Sequence, residues 1–191
     1  MSTLVSWSTV TALWIAWMVY WFLSALGARR NERGESLGQR LRTTVVLAVG
    51  TYLIFAPVAP LGPLNRRFVP KCLAIRAVAL GMVVAGLAIT VWARRHLGQF
   101  WSARVMLKEG HELIQSGPYA RVRHPIYSGI FLAMLGTALF VGQWRALLGA
   151  AVFFAGHSLK ARQEESLLAG QFGAAYEEYR ERTGSLLPRL R

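Results

Sequence analysis

Three stretches of the chain, 4–27, 43–64 and 73–93, are mostly apolar. A transmembrane helix takes roughly 20 mostly apolar residues, so each is long enough to span a bilayer. Pro57 and Pro60 fall in the last turns of the second stretch and are expected to kink it, because proline lacks the backbone donor and crowds the preceding turn. Ala77, Gly81 and Ala85 recur every fourth residue in the third, which predicts a small-residue face for close helix packing. A fourth apolar region, 126–158, is interrupted at Gly142-Gln143-Trp144-Arg145. Each half is short for a full span, and the pattern predicts a tight helical hairpin. Its turn reaches the far interface, with Trp144 as anchor and Gln143 and Arg145 kept away from the membrane centre. Gly129 and Ala133 on one arm and Ala151 and Ala155 on the other are the expected contact between the arms. From Lys160 the chain turns charged, and Leu168, Phe172, Tyr176 and Tyr179 recur at helical intervals, predicting an amphipathic C-terminal helix. The expected fold is all-α and polytopic, with about five transmembrane helices, the last two a tight hairpin, and that amphipathic helix after them. Residues 1–95 read as a three-helix scaffold and 96–191 as a polar, motif-bearing half.

Composition agrees with a membrane protein: 54% of the 191 residues are hydrophobic and 16% charged, against about 25% charged in soluble domains. The 22 Lys and Arg against 9 Asp and Glu sit in short clusters between apolar runs rather than along one stripe, which argues against nucleic-acid binding. Segments 29–42, 94–125 and 160–191 hold five, six and six of these cations, and the opposite loops only Arg66, Arg67, Lys71 and Arg145. By the positive-inside rule the N-terminus is expected outside and the C-terminus in the cytoplasm, in the inner membrane of a prokaryote. The first apolar run has no basic leader and no small-residue cleavage site, and is expected to be a retained helix. The one cysteine, Cys72, excludes an intrachain disulfide, and His96, His111, His124 and His157 show no metal-ligand spacing.

The chemistry concentrates in 111–127 and 160–165. Gly117-Pro118 marks a turn, and Pro125 suits the first turn of a helix beginning near His124. Arg123 and His124 then sit at a helix N-terminus, where backbone donors favour a carboxylate or phosphate. The hairpin returns Lys160 and Glu164 to the same end, four apart on one helical face. Glu164 suits an ammonium or ribose hydroxyls and Lys160 an anionic head group; an ordinary surface pair is the plain alternative. Tyr119 and Tyr127 read equally as interfacial tyrosines and His124 as a helix cap.

Taken in order, Leu97-Gly98-Gln99-Phe100-Trp101-Ser102, His111-Glu112-Leu113-Ile114, Gly117-Pro118-Tyr119, Arg123-His124-Pro125-Ile126-Tyr127, Glu164-Glu165, Phe172-Gly173, Tyr176, Tyr179 and Pro188 resemble the isoprenylcysteine carboxyl methyltransferase family and its prokaryotic relatives. The resemblance covers the C-terminal half. It implies an integral-membrane enzyme using S-adenosyl-L-methionine. His111, Glu112, Leu113, Ile114, Tyr119, His124, Pro125, Ile126 and Tyr127 would wrap that cofactor, and Glu164 would contact it. The family carries arginine four residues before this glutamate; here the position is Lys160, which keeps the charge and loses the bidentate fork. Lys160 and Arg123 are then expected to position the substrate, with no general base. The implied partners are membrane lipid and a small lipophilic acceptor, first an isoprenylcysteine-like carboxylate, with a phospholipid amine or a thiol as alternatives. A nicotinamide-dependent membrane reductase and a non-catalytic membrane accessory protein remain the competing classes. His157 matches no role in this pattern and reads as a packed polar residue.

Overall fold

The computed structural model describes residues 5–26, 31–34, 36–56, 61–98, 106–108 and 113–189. Among them are six helices: α1 (Trp7–Ala25), α2 (Leu37–Phe55), α3 (Leu73–Leu97), α4 (Pro125–Val141), α5 (Trp144–Phe172) and α6 (Ala174–Arg182). A short antiparallel ribbon, Asn31–Gly34 with Met106–Lys108, joins the loops before α2 and after α3 and is, among the described residues, the one departure from an all-helical chain. His111 and Glu112, Pro57 and Pro60, and 99–102 lie outside the described residues.

Helices α1 and α3 are long and apolar enough to cross a membrane by length and composition; α4 is apolar but shorter, at 17 residues. On α1, Ile15, Met18, Val19, Phe22 and Leu23 are exposed. An apolar surface of that extent is unfavourable against water and neutral against hydrocarbon. The second span departs from expectation at both ends. A capping box between Ser36 and Gln39 starts α2 ahead of its apolar run, so its first turns carry Gln39, Arg40 and Arg42. It ends at Phe55 instead of running kinked to residue 64, because the residue before a proline is disfavoured in helical backbone.

The most intimate contact is α3 against α4, followed by α2 against α5. A Cβ added at Gly86 would lie 2.5 Å from both the Gly129 carbonyl oxygen and the Ala133 nitrogen. At the other pair, a Cβ at Gly50 would lie 2.9 Å from the Gly149 carbonyl oxygen. The predicted small-residue faces were therefore displaced. Ala77, Gly81 and Ala85 are not on the buried face, and the buried seam of α3 is Ala79, Val83, Gly86 and Thr90. Steps of four, three and four keep a stripe on one face, whereas repeated steps of four drift around the helix. Likewise Gly129 and Ala133 meet α3 rather than α5, and Ala151 and Ala155 are exposed while Gly149 and Gly156 pack on α2. The hairpin is tight in connectivity, but each arm buries its small residues against a different neighbour.

Helix α1 is attached by two tryptophans: Trp14 Nε1 donates to Thr137 Oγ1 at 3.0 Å and Trp17 Nε1 to Thr90 Oγ1 at 2.6 Å. Each threonine hydroxyl donates in turn to its own helix, at Ala133 and Leu87. In hydrocarbon such paired donors hold helices together where apolar contact alone does not.

At the hairpin turn Gly142 adopts φ +69 and Arg67 packs against it, donating to the Val141 carbonyl at 2.8 Å. Arg145, 6% exposed, donates to the Leu53 and Ile54 carbonyls at 2.7 and 3.3 Å. It thereby satisfies the open C-terminus of α2. At the other end α5 runs unbroken through Lys160 to Phe172 and stops at Gly173, φ +51. The expected amphipathic helix from Lys160 is thus two helices, with Leu168 and Phe172 on α5 and the buried Tyr176 and Tyr179 on α6.

Substituting Gly86 with alanine is expected to lower stability by about 1–3 kcal/mol, because backbone atoms of α4 cannot give way. Gly81→Ala meets open space and should be neutral or slightly stabilising. Thermal unfolding of both variants in detergent checks this; equal melting temperatures would reject the seam.

Candidate functional site

Three segments converge at the end of the helices opposite the Gly142 turn: the loop leading into α4, the Lys160–Glu165 portion of α5, and the tail after α6. The loop is fixed first. Gly117–Ala120 forms a 3-10 turn, and Gly117, φ +58, backs onto the His96 ring, whose Nε2 lies 2.8 Å from Ser116 Oγ. Tyr179 of α6 donates its hydroxyl to the Tyr119 carbonyl at 2.7 Å, and Tyr119 lies buried against Ala93 and Ile126.

The tail then runs alongside the start of α4. Arg123 N donates to the Gly184 carbonyl at 2.9 Å, His124 N to Ser185 at 3.1 Å, and Gly184 N to Arg121 at 3.2 Å. The amides of Arg123 and His124 just ahead of α4 are thus taken by the chain's own carbonyls.

Two adjacent glutamates close the cluster. Glu165 Oε1 accepts from Arg123 Nε at 2.9 Å, His124 Nε2 at 3.1 Å and Ser185 Oγ at 2.8 Å. Glu164 Oε2 lies 3.3 Å from His124 Nδ1, and its Oε1 accepts the Tyr127 hydroxyl. Both ring nitrogens of His124 face carboxylates, an arrangement that suits the doubly protonated ring. Burial alone would lower the His124 pKa, but the hydrogen bonds to Glu164 and Glu165 outweigh it and hold the pKa above 6.5. Burial likewise works to raise the two carboxylates, and their hydrogen bonds prevail: Glu164 is held below 4.5 and Glu165 down at about 2.

Tyr127 is the hub of this corner. Its ring stacks on His124 at 5.5 Å, meets His157 edge-on at 4.9 Å, and has Lys160 Nζ 5.6 Å from its centroid. Beside it lies a cavity of about 950 Å³, lined by Trp92, Pro118, Pro125, Tyr127, Phe131 and His157 among others. On the other side, Tyr127 belongs to an apolar cluster with Leu97, Ile114, Tyr119 and Ile126.

Ile114, Tyr119, His124, Pro125, Ile126, Tyr127, Lys160 and Glu164 thus gather around one corner, and Leu113 precedes Ile114 in the chain. Arg123, with its side chain 9% exposed, is committed to Glu165 and to the Thr183 and Arg180 carbonyls at 2.6 and 3.2 Å. Sequence reasoning placed Glu165 and Tyr179 in the family pattern and read His157 as a packed polar residue, but gave none of them, nor Ser185, a part in the site. The doubled Glu164-Glu165 was the available signal: neighbours about 100° apart on a helix serve two different directions. Among the described residues no three His, Cys, Asp or Glu side chains form a metal-binding group.

Residues 79–170 match the family model of isoprenylcysteine carboxyl methyltransferase. This segment, a little under half of the chain, is thus similar to the isoprenylcysteine carboxyl methyltransferase family. The protein-S-isoprenylcysteine O-methyltransferase of Schizosaccharomyces pombe is 36% identical over 113 residues, 58% of this chain and 48% of that protein. A probable protein-S-isoprenylcysteine O-methyltransferase of Oryza sativa subsp. indica is 27% identical over 172 residues, 88% of this chain and 87% of that one. The solved structure of the eukaryotic intramembrane Ras methyltransferase, isoprenylcysteine carboxyl methyltransferase without a monobody, shares the fold with a TM-score of 0.52 at 23% identity. It covers 78% of this chain and 50% of that one. The chain therefore spans about half the length of the fission-yeast relative and of the solved structure. The family segment holds the α3–α4 seam, the Tyr127 hub and both glutamates; α1, α6 and the tail that binds Glu165 lie beyond it.

The charge cluster sets a pH window. His124, raised above 6.5, contributes stability that is complete below pH 6.5 and fades as pH climbs through its folded value. The glutamates, lowered from 4.5, contribute above pH 4.5 and lose it as pH falls, for Glu165 down through about 2. The melting temperature in detergent should therefore be flat between pH 4.5 and 6.5 and decline on either side. His124→Gln should remove the alkaline decline, and an unchanged profile would exclude the charged ring. Glu165→Gln leaves Arg123 and His124 short of an anion and should cost about 2–3 kcal/mol.

Proposed function

We propose that the chain is an integral-membrane methyltransferase that uses S-adenosyl-L-methionine to methylate a small lipophilic acceptor, at the carboxylate of an isoprenylcysteine-like molecule. One observation carries the reading. Tyr127 stands between a half-buried carboxylate held ready by His124 and an apolar cavity of about 950 Å³.

The residues fit the cofactor on chemical grounds. Glu164 keeps 24% of its side chain exposed and retains acceptor capacity for an ammonium or ribose hydroxyls. On the same turn, the Gln163 side-chain oxygen is buried and meets no donor among the described residues, an acceptor that a polar ligand would satisfy. Leu113, Ile114, Tyr119, Pro125 and Ile126 offer an apolar wall for the flat base, and His111 and Glu112 join them by the family resemblance. The bound cofactor supplies an electrophilic methyl group on a sulfonium. A carboxylate acceptor is already a nucleophile, so no residue needs to remove a proton. Lys160 holds the acceptor's anion as a point charge, and Tyr127, packed against Lys160, sets its position. Arg123 contributes by holding Glu165, and so the frame around His124. The apolar lining keeps water from the reacting atoms.

We also infer five membrane segments, α1 to α5, with the N-terminus outside and the C-terminus in the cytoplasm, in the inner membrane of a prokaryote. The loop charges support this: Arg94, Arg95, Arg121, Arg123 and Lys160 cluster at the site end, and the Gly142 end carries few cations. Residues 1–95 then act mainly as scaffold and 96–191 as the catalytic half, although the last turns of α3 wall the site.

Glu164→Gln keeps the shape and removes the charge. Affinity for S-adenosylhomocysteine, read by thermal shift, should fall about tenfold or more, as for one lost charge-assisted hydrogen bond. Lys160→Ala should instead raise KM for a prenylcysteine acceptor and leave that affinity unchanged, and Lys160→Arg should preserve activity. Labelled methyl found only in phospholipid amines or thiols would overturn the carboxylate assignment. For topology, a C-terminal reporter active only in the external compartment would reject the orientation.

A further inference from the structure

Helix α1 belongs to the part assigned to scaffold, yet its last turns reach the site. Trp21 and Ala25 pack against the cluster of Ala93, Tyr119 and Ile126, which Ile114 and Tyr127 join. Ile114, Tyr119 and Ile126 are the residues proposed to wall the flat base of the cofactor, and none of them lines the apolar cavity. Trp17 stacks on Trp21 with ring centroids 4.7 Å apart and meets Trp14 edge-on at 5.6 Å. A run of contacting indoles along α1 thus ends against that wall.

Arg94 holds the end of α1 in this place. It lies in the last turn of α3 and is 5% exposed. Its Nη1 donates to the Gly98 carbonyl at 2.7 Å, and its Nη2 donates to the Ser24 carbonyl of α1. The last carbonyls of a helix have no partner within it, and the helix dipole makes that end negative. One guanidinium therefore meets the open ends of two helices, and its planar fork fixes the direction of each contact. The rest of α1 is held lightly: of its described residues only Val10 and Trp14 are buried. Its indole hydrogen bonds, from Trp14 and Trp17, lie farther from the site.

We infer that Arg94 is a positioning residue for cofactor binding and that Trp21 is the side chain it positions, so that the end of α1 backs the cofactor wall. Without that dock Tyr119 and Ile126 lose their support, and the base meets a looser surface. The acceptor side is spared, because no described α1 side chain lines the cavity. This rests on the S-adenosyl-L-methionine reading.

The test titrates the full chain in nanodiscs with S-adenosylhomocysteine by calorimetry and reads the melting temperature of the same samples. Arg94→Leu should lose about tenfold in affinity, the scale of coupling between residues in contact. KM for a prenylcysteine acceptor at saturating S-adenosyl-L-methionine should stay unchanged. Arg94→Lys, which keeps the charge and can still donate to a carbonyl, should recover part of the loss. Trp21→Ala should reproduce the loss and add little to it when combined with Arg94→Leu. Trp14→Phe, which removes a tie of α1 away from the site, should lower the melting temperature and leave the affinity at the wild-type value. Wild-type affinity in folded Arg94→Leu or Trp21→Ala would overturn the inference. So would an equal affinity loss in Trp14→Phe, since α1 would then act through general stability alone. Where Arg94→Leu does not fold, Trp21→Ala against Trp14→Phe decides. A wild-type chain with no affinity for S-adenosylhomocysteine would instead fell the cofactor reading, and this inference with it.

Discussion

The ionic contact among Glu165, His124, Arg123 and Ser185 is the joint on which the site depends. The partners come from three different segments: the end of α5, the start of α4, and the tail beyond α6. A carboxylate moved out of water costs several kcal/mol unless its lone pairs are met; here one oxygen accepts from three side chains. The contact draws the tail against the first turn of α4, where its carbonyls satisfy amides that would otherwise be open. It also orients the imidazole whose far nitrogen reaches Glu164. The carboxylate assigned to the cofactor is thus positioned through its neighbour.

The helices below supply a rigid base for this joint. Close contact of Gly86 with Gly129 and of Gly50 with Gly149 fixes α4 on α3 and α5 on α2. The two arms of the hairpin are consequently held apart by different partners rather than by each other. Beside them the apolar cavity opens, and α1 is tied on from outside through its indole hydrogen bonds.

The helical architecture, the hairpin turn and the gathering of His124, Tyr127, Lys160 and Glu164 were legible from apolar run lengths and spacing, because those depend on the chain's local period. The packing faces were not. A four-residue repeat in a uniformly apolar helix does not say which face meets protein and which meets lipid, and the choice fell on Ala79, Val83, Gly86 and Thr90. Likewise, Leu168, Phe172, Tyr176 and Tyr179 share a helical period, but Gly173 breaks the helix between the pairs. Arg123 illustrates a third limit: its charge was visible, whereas its engagement by Glu165 and two carbonyls depends on where the tail passes, a purely tertiary matter.

The tail contact also bears on the order of assembly. Synthesis proceeds from the N-terminus, so α1 to α5 are made before residues 183–185 emerge. Until then Glu165 lacks its Ser185 donor, and the amides of Arg123 and His124 lack their carbonyl partners. A nascent chain can therefore have its helices packed while the corner around Tyr127 is still unformed. The circuit from Ser185 through His124 to Glu164 closes only when the tail lies back against the start of α4.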